Sequence, residues 1–386
     1  MSKKTKYKGF KIFLIIIGVL AIVSTAVALF FVPYVKSKII SYVEENTEYQ
    51  LKINTIVFLS PYDLEINGVE LRPKLDVKEF YKTNKIERDW ISVKSNVSIQ
   101  GVDWMLYFKE KKAFIQKISL AETNFYVYRD KTKQDAPYKY KAFPGRLLRN
   151  TKLTITCPLI EMVKGRIEYL EIGDKGSPLN VIFGTLYGSL YYLSNDSAYV
   201  TKQPEVILEG KGMVMDSIEG TMKYTFSSLN DRFTFVGNTG PFSATVFNRC
   251  IDSPTAGIEI ESGKVDKLSF VIHATDSAAT GVMDIDYDHL RVTVLSKKNP
   301  DKKSVIKTFL SHILIHKHDK KNEKEGEYDG EISAVRNPDR FIFNYWWNSI
   351  KSGILSSVVK VNIPKKKEKK EEKETSRKHK KDKKVS

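Results

Sequence analysis

From Leu51 onward apolar and polar residues take turns. Leu51 and Ile53 alternate with Lys52 and Asn54, and Val57 continues the pattern beyond Thr55. Side chains on a pleated strand point to opposite faces at successive positions, so this run predicts a strand with one greasy and one wet face. Pro61 ends it. Leu64 and Ile66, then Val69 and Leu71 on either side of Asn67-Gly68, predict two more short strands about a turn. Ile91, Val93, Val97, Ile99 and Val102 extend the pattern, as do Phe125 and Val127, with Tyr126 and Tyr128 on the other face. Residues 131–150, which include Pro137, Pro144 and Gly145, read as a loop. It separates an N-terminal β section, 48–130, from a second one, 151–340.

In the second section a glycine repeatedly introduces an alternating stretch: GRIEYLEI at 165, GSLYYL at 188, GTMKYTF at 220, GKVDKLSF at 263 and GVMDIDYDHL at 281. Met222, Tyr224 and Phe226 share a face opposite Thr221, Lys223 and Thr225; Met283, Ile285 and Tyr287 oppose Asp284, Asp286 and Asp288. Such strands need apolar cover from a second sheet, a closed barrel, a helix or, on a long curved sheet, lipid chains. The 20 Tyr and 20 Phe suit half-buried sheets.

The period changes twice. Val35, Ile39, Ile40 and Val43 recur at helical spacing and predict a short amphipathic helix over 36–47; Phe341, Tyr345, Ile350, Ile354 and Val358 predict another over 341–361. Packing on the sheet is the ordinary role for the second, with capping a sheet end or touching a bilayer as alternatives that Trp346 and Trp347 favour. Ahead of the first, residues 12–35 carry no charge, and 24 residues at a helical rise cross a hydrocarbon core. A cleaved secretory signal is the rival, with Ala26-Val27-Ala28 imitating a cleavage site, but the apolar run continues past it to Val32. A transmembrane anchor is therefore expected. Five lysines lie in residues 1–11, while Lys36, Lys38, Glu44 and Glu45 nearly cancel after the run. The N-terminus is expected in the cytosol and the main domain across the membrane.

The formal charge of +17 belongs to the two ends of the chain. Residues 3–11 hold +5 and the stretch from Lys365 another +7, leaving +5 for everything between. Nucleic acid is thus not an expected partner. The 365–386 segment has no apolar residue until Val385 and is expected to stay disordered, with anionic headgroups or an acidic polymer as the sharper alternative. Cys157 and Cys250 permit one disulfide but read first as small buried residues.

Motifs for chemistry are sparse. Asp284-x-Asp286-x-Asp288 lacks the glycine and the glutamate of a calcium loop, having His289 and Leu295 there. His312, His316 and His318 would share a strand face, but no carboxylate or cysteine completes a metal site. G-x-S-x-G, phosphate-loop, H-E-x-x-H and C-x-x-C patterns are absent from the chain. A non-enzyme without metal or cofactor is the expectation.

The stretches FVPYVKSKIISYVEENTEYQLKINTIVF and YDLEINGVEL, read with the preceding apolar run, resemble the N-terminus of AsmA-like envelope proteins, and AGIEIESGKVDKLSFVIHATDSAATGVMDIDYDHLRVTVL resembles the C-terminal part of their shorter members. Together these cover about a third of the chain. The resemblance implies a single-pass inner-membrane protein whose periplasmic part is a curved, groove-like antiparallel β-sheet, related to bridge-like lipid transfer proteins. Its implied role is shielding or transferring phospholipid for envelope maintenance. Met222, Tyr224, Phe226, Met283, Ile285 and Tyr287 are the lipid-facing candidates, with core packing as the alternative for each. The rival is a membrane-tethered structural or assembly factor whose closed β-domain binds envelope protein partners.

Overall fold

A computed structural model describes residues 32–84, 88–133, 138, 140–173, 178–249, 258–294, 313–315 and 330–361. Helix α1 (Val32–Asn46) leads into β1 (Tyr49–Lys52), β2 (Thr55–Phe58) and β3 (Leu64–Pro73), followed by α2 (Val77–Asn84) and β4 (Trp90–Val102). Then come α3 (Trp104–Glu110), β5 (Lys112–Asp130), α4 (Pro144–Arg149), β6 (Thr154–Ile172) and β7 (Pro178–Ser194). Helix α5 (Ser197–Lys202) precedes β8 (Glu205–Val214), β9 (Ile218–Ser227), β10 (Phe233–Thr239) and β11 (Phe242–Ser243). A 3-10 turn at Ala244–Arg249 precedes β12 (Ile258–Ala274) and β13 (Ala278–Val294). Strand β14 (Ile313–Ile315), β15 (Gly330–Val335), α6 (Ile342–Val358) and β16 (Val359–Val361) complete the described chain.

Fourteen of these strands form one curved, unclosed sheet, and β14 pairs with β16 in a second, two-stranded one. Mostly β is therefore right as a class. The sheet is mixed, because β5 and β6 run parallel while the other pairs are antiparallel. Residues 131–150 were expected to mark a seam, yet the sheet passes across it without a break, from Lys112↔Thr154 to Asp130↔Ile172. A parallel neighbour has to start again from the end where its predecessor began, and this connection carries the chain back.

Two local expectations are corrected. Asn67-Gly68 makes no turn: β3 is one strand, with both 64–66 and 69–71 paired to β4, and the extra residue is absorbed as a bulge between Ile66 and Val69. Gly68 takes φ +62 there, and any Cβ would strike the Asn54 side chain. Nor do the glycines as a set introduce strands: Gly220 is third in the ten-residue β9, but the other four differ. Gly165, Gly188, Gly263 and Gly281 lie inside strands of 17 to 19 residues, Gly165 and Gly263 at register shifts.

Of the expected 12–35 membrane segment, all but the last four residues lie outside the described ones. Those four run without a break into the 36–47 helix as α1, and no helix of the described residues is long and apolar enough to cross a membrane. His312, His316, His318, Cys250 and the 365–386 segment also lie outside. Cys157 is a free, buried thiol.

Helix α6 sits where the 341–361 period placed it, though its last residues switch to strand β16. It docks closely because small residues line its inner face. Ser349 and Ser357 are buried, and Gly353 lies against Met283 and Ile332, where a Cβ would come within 2.9 Å of both. Ser356 Oγ accepts the Glu331 N–H at 2.7 Å and donates to the Glu331 carbonyl at 2.8 Å; Ser352 Oγ accepts the Ser333 N–H at 3.1 Å. The helix thereby satisfies backbone groups of edge strand β15 that would otherwise invite another strand.

A charged clamp ties the β5–β6 connection to this end. Arg146 Nε and Arg149 Nη2 donate to Asp231 at 2.8 and 2.6 Å, and Tyr140 Oη donates to Asp276 at 2.9 Å. Arg336, with only 1% of its side chain exposed, pairs with Asp276, donates to the Lys141 carbonyl and stacks 3.8 Å over Phe143. Burial alone would raise the Asp231 carboxyl, but Arg146 and Arg149 outweigh it and hold the group below the usual carboxylate range. A depressed folded value gives stability that is complete above the unfolded value of about 3.9 and is lost as pH falls through the folded one. Asp231→Asn is expected to lower stability by about 1–3 kcal/mol at neutral pH. It should also flatten the acid limb of the urea midpoint, as followed by circular dichroism; an unchanged acid limb would show that Asp231 contributes nothing to it.

Candidate functional site

The register places apolar residues in rows that run across the strands. One row is Leu64, Ile99, Ile118, Ile160, Leu190, Leu208, Tyr224, Phe235, Ile272, Gly281 and Ile332, each the direct neighbour of the next. A second is Ile66, Val97, Leu120, Met162, Gly188, Gly210, Met222, Gly237, Phe270, Met283 and Gly330. A third joins Leu71, Val93, Phe125, Ile167, Phe183, Val214 and Ile218. The opposite face carries Glu65, Ser98, Ser119, Glu161, Ser189, Glu209 and Lys223 in the same order. Ion pairs such as Lys117–Glu161 at 2.7 Å and Lys223–Glu209 at 2.9 Å cross it. Period-two alternation, held in register through bulges, thus gives a sheet that is apolar on one side along its breadth.

What covers the apolar face changes along the rows. Over β9–β15 it is closed by protein: Phe143, the 3-10 turn and α6 join Tyr224, Phe226, Phe233, Phe235, Phe270, Ile272, Met283 and Ile332 in one buried core. Trp346 stacks on Phe235 at 4.5 Å and meets Tyr224 edge-on at 4.8 Å. Over β3–β6 no described helix packs on it, and Leu64, Ile66, Val97, Ile99, Ile118, Leu120, Phe125, Ile160 and Met162 are half-buried. Strands β7 and β8 form the transition, where Leu190 and Leu208 touch the closed core. At Gly188 a Cβ would have only backbone within 4 Å, the nearest atom being the Glu209 carbonyl oxygen at 3.2 Å.

Two polar pairs interrupt the apolar face and satisfy themselves. Ser95 Oγ and Thr123 Oγ1 are 2.8 Å apart, as are Thr156 Oγ1 and Ser194 Oγ. The other face holds a shallow hollow of about 510 Å³ beside α2, lined by Glu70, Arg72, Trp90, Ser92, Lys94 and Tyr126. Its charges pair among themselves, Glu70 with Arg72 at 3.8 Å and with Lys94 at 3.6 Å.

The six lipid-facing candidates do share the apolar face. Tyr224, Phe226, Met283, Ile285 and Tyr287 are nevertheless buried in the closed core, and Met222 is partly buried against it. Burial drives the Tyr224 phenol well above its ordinary value. Asp284 and Asp286, half-exposed opposite them, and the exposed Asp288 form the wet side of β13, with Asp284 held by Lys267 at 3.1 Å. Among the described residues no cluster of His, Cys, Asp and Glu could hold a metal ion. Part of the open stretch comes from strands whose alternation is legible, at 64–71, 91–102 and Phe125, whereas Ile118, Leu120, Ile160 and Met162 belong to runs that the sequence reading missed. Which residues line up across them depends on register, which no single strand's pattern reveals.

Searched against protein-family models and against curated proteins, the chain matches none.

The contrast between the two ends of the rows generates a stability prediction. Ile272→Ala, in the closed core, should cost about 2–5 kcal/mol. Leu120→Ala, on the open stretch, should cost about 1 kcal/mol, as expected for a side chain that leaves water only in part. Urea denaturation of both variants measures the difference, and equal losses would mean that the open stretch is packed as tightly as the core.

Proposed function

We propose that the apolar face of β3–β8 holds phospholipid acyl chains, and that the protein is a membrane-anchored, non-enzymatic lipid-shielding or lipid-transfer component of a cell envelope. The observation that carries this reading is the change along single cross-strand rows from half-buried and uncovered to fully buried under α6. Rows of Ile, Leu, Val, Met and Phe offer hydrocarbon a continuous surface, and each methylene removed from water is worth about 0.8 kcal/mol. No step of bond making is needed. The polar headgroup would stay at the rim while the tail lies across the strands.

The resemblance of the first and later strands to AsmA-like envelope proteins supports the same reading. So does the uncharged run at 12–35, which would anchor the chain in an inner membrane with the sheet on the periplasmic side. Four open strands, β3–β6, at about 4.8 Å spacing give an open face about 14 Å across, and the transition strands β7 and β8 extend it to about 24 Å. That is enough for an acyl chain and far too short to bridge two membranes, so transfer over a longer distance would need envelope partners.

One observation favours a second reading. The closed core of β9–β15 is filled by the protein's own side chains, as a tethered assembly factor with a self-contained β-domain would require. The two readings part at Gly188. Gly188→Leu adds a side chain to the space between the open face and the closed core. Under the lipid reading, native mass spectrometry of the purified full chain shows bound phospholipid that Gly188→Leu and Leu120→Asp strip away. A preparation without lipid in every case, with wild-type stability in Gly188→Leu, would leave the assembly reading standing.

A further inference from the structure

The strongest feature outside the rows is one end of the N-terminal strands. The β2–β3 turn and α3 come together there: Trp104 Nε1 donates to the Pro61 carbonyl at 2.7 Å and the Val102 N–H to the Tyr62 carbonyl at 3.0 Å. This fixed tip presents Leu59, Tyr62, Trp104, Met105 and Phe108 to solvent, with Met105 63% and Phe108 67% exposed. Its carboxylates are turned to internal work. Asp103 caps α3 by accepting the Leu106 N–H at 2.8 Å, Asp63 accepts from Gly101 N–H at 2.9 Å and from Ser60 Oγ at 2.7 Å, and Glu110 pairs with Lys112 at 3.3 Å. Lys109 and Lys111 remain exposed beside the apolar residues. The other end of the same strands is different in kind: ion pairs Arg88–Glu48, Arg129–Asp89 and Lys133–Asp130 occupy it.

The direction of α1 selects the partner. Lys74 Nζ donates to the Glu44 carbonyl near the Tyr49↔Pro73 end of β1, and Lys36 Nζ donates to the Asn54 carbonyl, between β1 and β2. Helix α1 therefore runs antiparallel to β1 and β2, and Val32 lies about 6 Å beyond Lys36 toward the Phe58 end. Val32, the first described residue and the one that directly follows most of the membrane-length apolar run in sequence, is thus at the tip end of α1.

We infer that the tip formed by Leu59–Asp63 and α3 rests on the surface of the lipid bilayer in which the chain is anchored, with Trp104, Met105 and Phe108 in the interface and Lys109 and Lys111 against anionic headgroups. Aromatic and long apolar side chains beside lysines are the composition that settles at the headgroup boundary. The open face of β3–β6 would then begin at the membrane surface, where a lipid tail could enter it. The inference uses the anchor reading for its direction, and the test keeps the two apart.

Full-length protein carrying Cys250→Ser is reconstituted in phosphatidylethanolamine–phosphatidylglycerol vesicles, with an environment-sensitive fluorophore on Phe108→Cys or, at the opposite end, Leu75→Cys. Cys157, 1% exposed, is left in place. Both substituted positions are on the surface, so folding is preserved. A shallow spin-labelled lipid should quench the probe at 108 by about half and leave the probe at 75 nearly unchanged, as for a side chain seated in the interface. Equal, weak quenching at both positions overturns the proposal. Carbonate extraction of the same vesicles reports on the anchor alone. Quenching at 108 in extractable protein supports the tip without the anchor; resistance to extraction without quenching keeps the anchor and removes the tip.

Discussion

A sheet with hydrocarbon along one whole face has to hide it, and the described helices reach only part of the way. The rows that begin at Leu64 and Ile66 end at Ile332 and Gly330, so the same surface that forms the core under α6 emerges half-covered at β6. At about 25 cal/mol for each Å² of apolar surface, the uncovered stretch is a standing cost to the free protein. Shape and function meet in that cost: whatever covers β3–β6 is drawn there by the same force that packs Phe235 beneath Trp346.

The rest of the architecture keeps an open sheet from being covered by the wrong thing. Ser352 and Ser356 of α6 occupy the backbone groups of β15, and α1 lies along the short strands β1 and β2 at the other edge. The Arg146–Asp231 and Arg336–Asp276 pairs fix the β5–β6 connection against three turns at one end, holding Phe143 in the core. With both edges occupied, the open stretch of the apolar face is, among the described residues, a broad surface on which further association gains free energy.

Class was legible in the sequence because alternation is local. Met283, Ile285 and Tyr287 against Asp284, Asp286 and Asp288 declare their faces without help from any neighbour. Helix α6 was legible for the same reason, through Tyr345, Ile350 and Ile354. The site was not. Met222 and Met283 belong to one row, but the sequence gives no sign that α6 closes one end of it and that Ile66 and Leu120 lie at the other. Nor does glycine mean what its place in the pattern suggests: Gly68, read as a turn, and Gly263, read as the start of a strand, both take a positive φ at a bulge inside one strand. Long strands with internal bulges look, in sequence, like several short ones.

The single parallel joint has a kinetic consequence. The pairs β2–β3, β6–β7, β8–β9, β9–β10 and β12–β13 are joined by only three to five residues, so hairpins can zip up locally on both sides of the joint. Residues 131–153, in contrast, must carry the chain back along the whole length of β5 before the first backbone bond between β5 and β6 can form. Closing so wide a loop loses entropy before any contact repays it. The halves of the sheet should therefore mature separately and meet late, leaving an unpaired β5 edge exposed in the nascent chain.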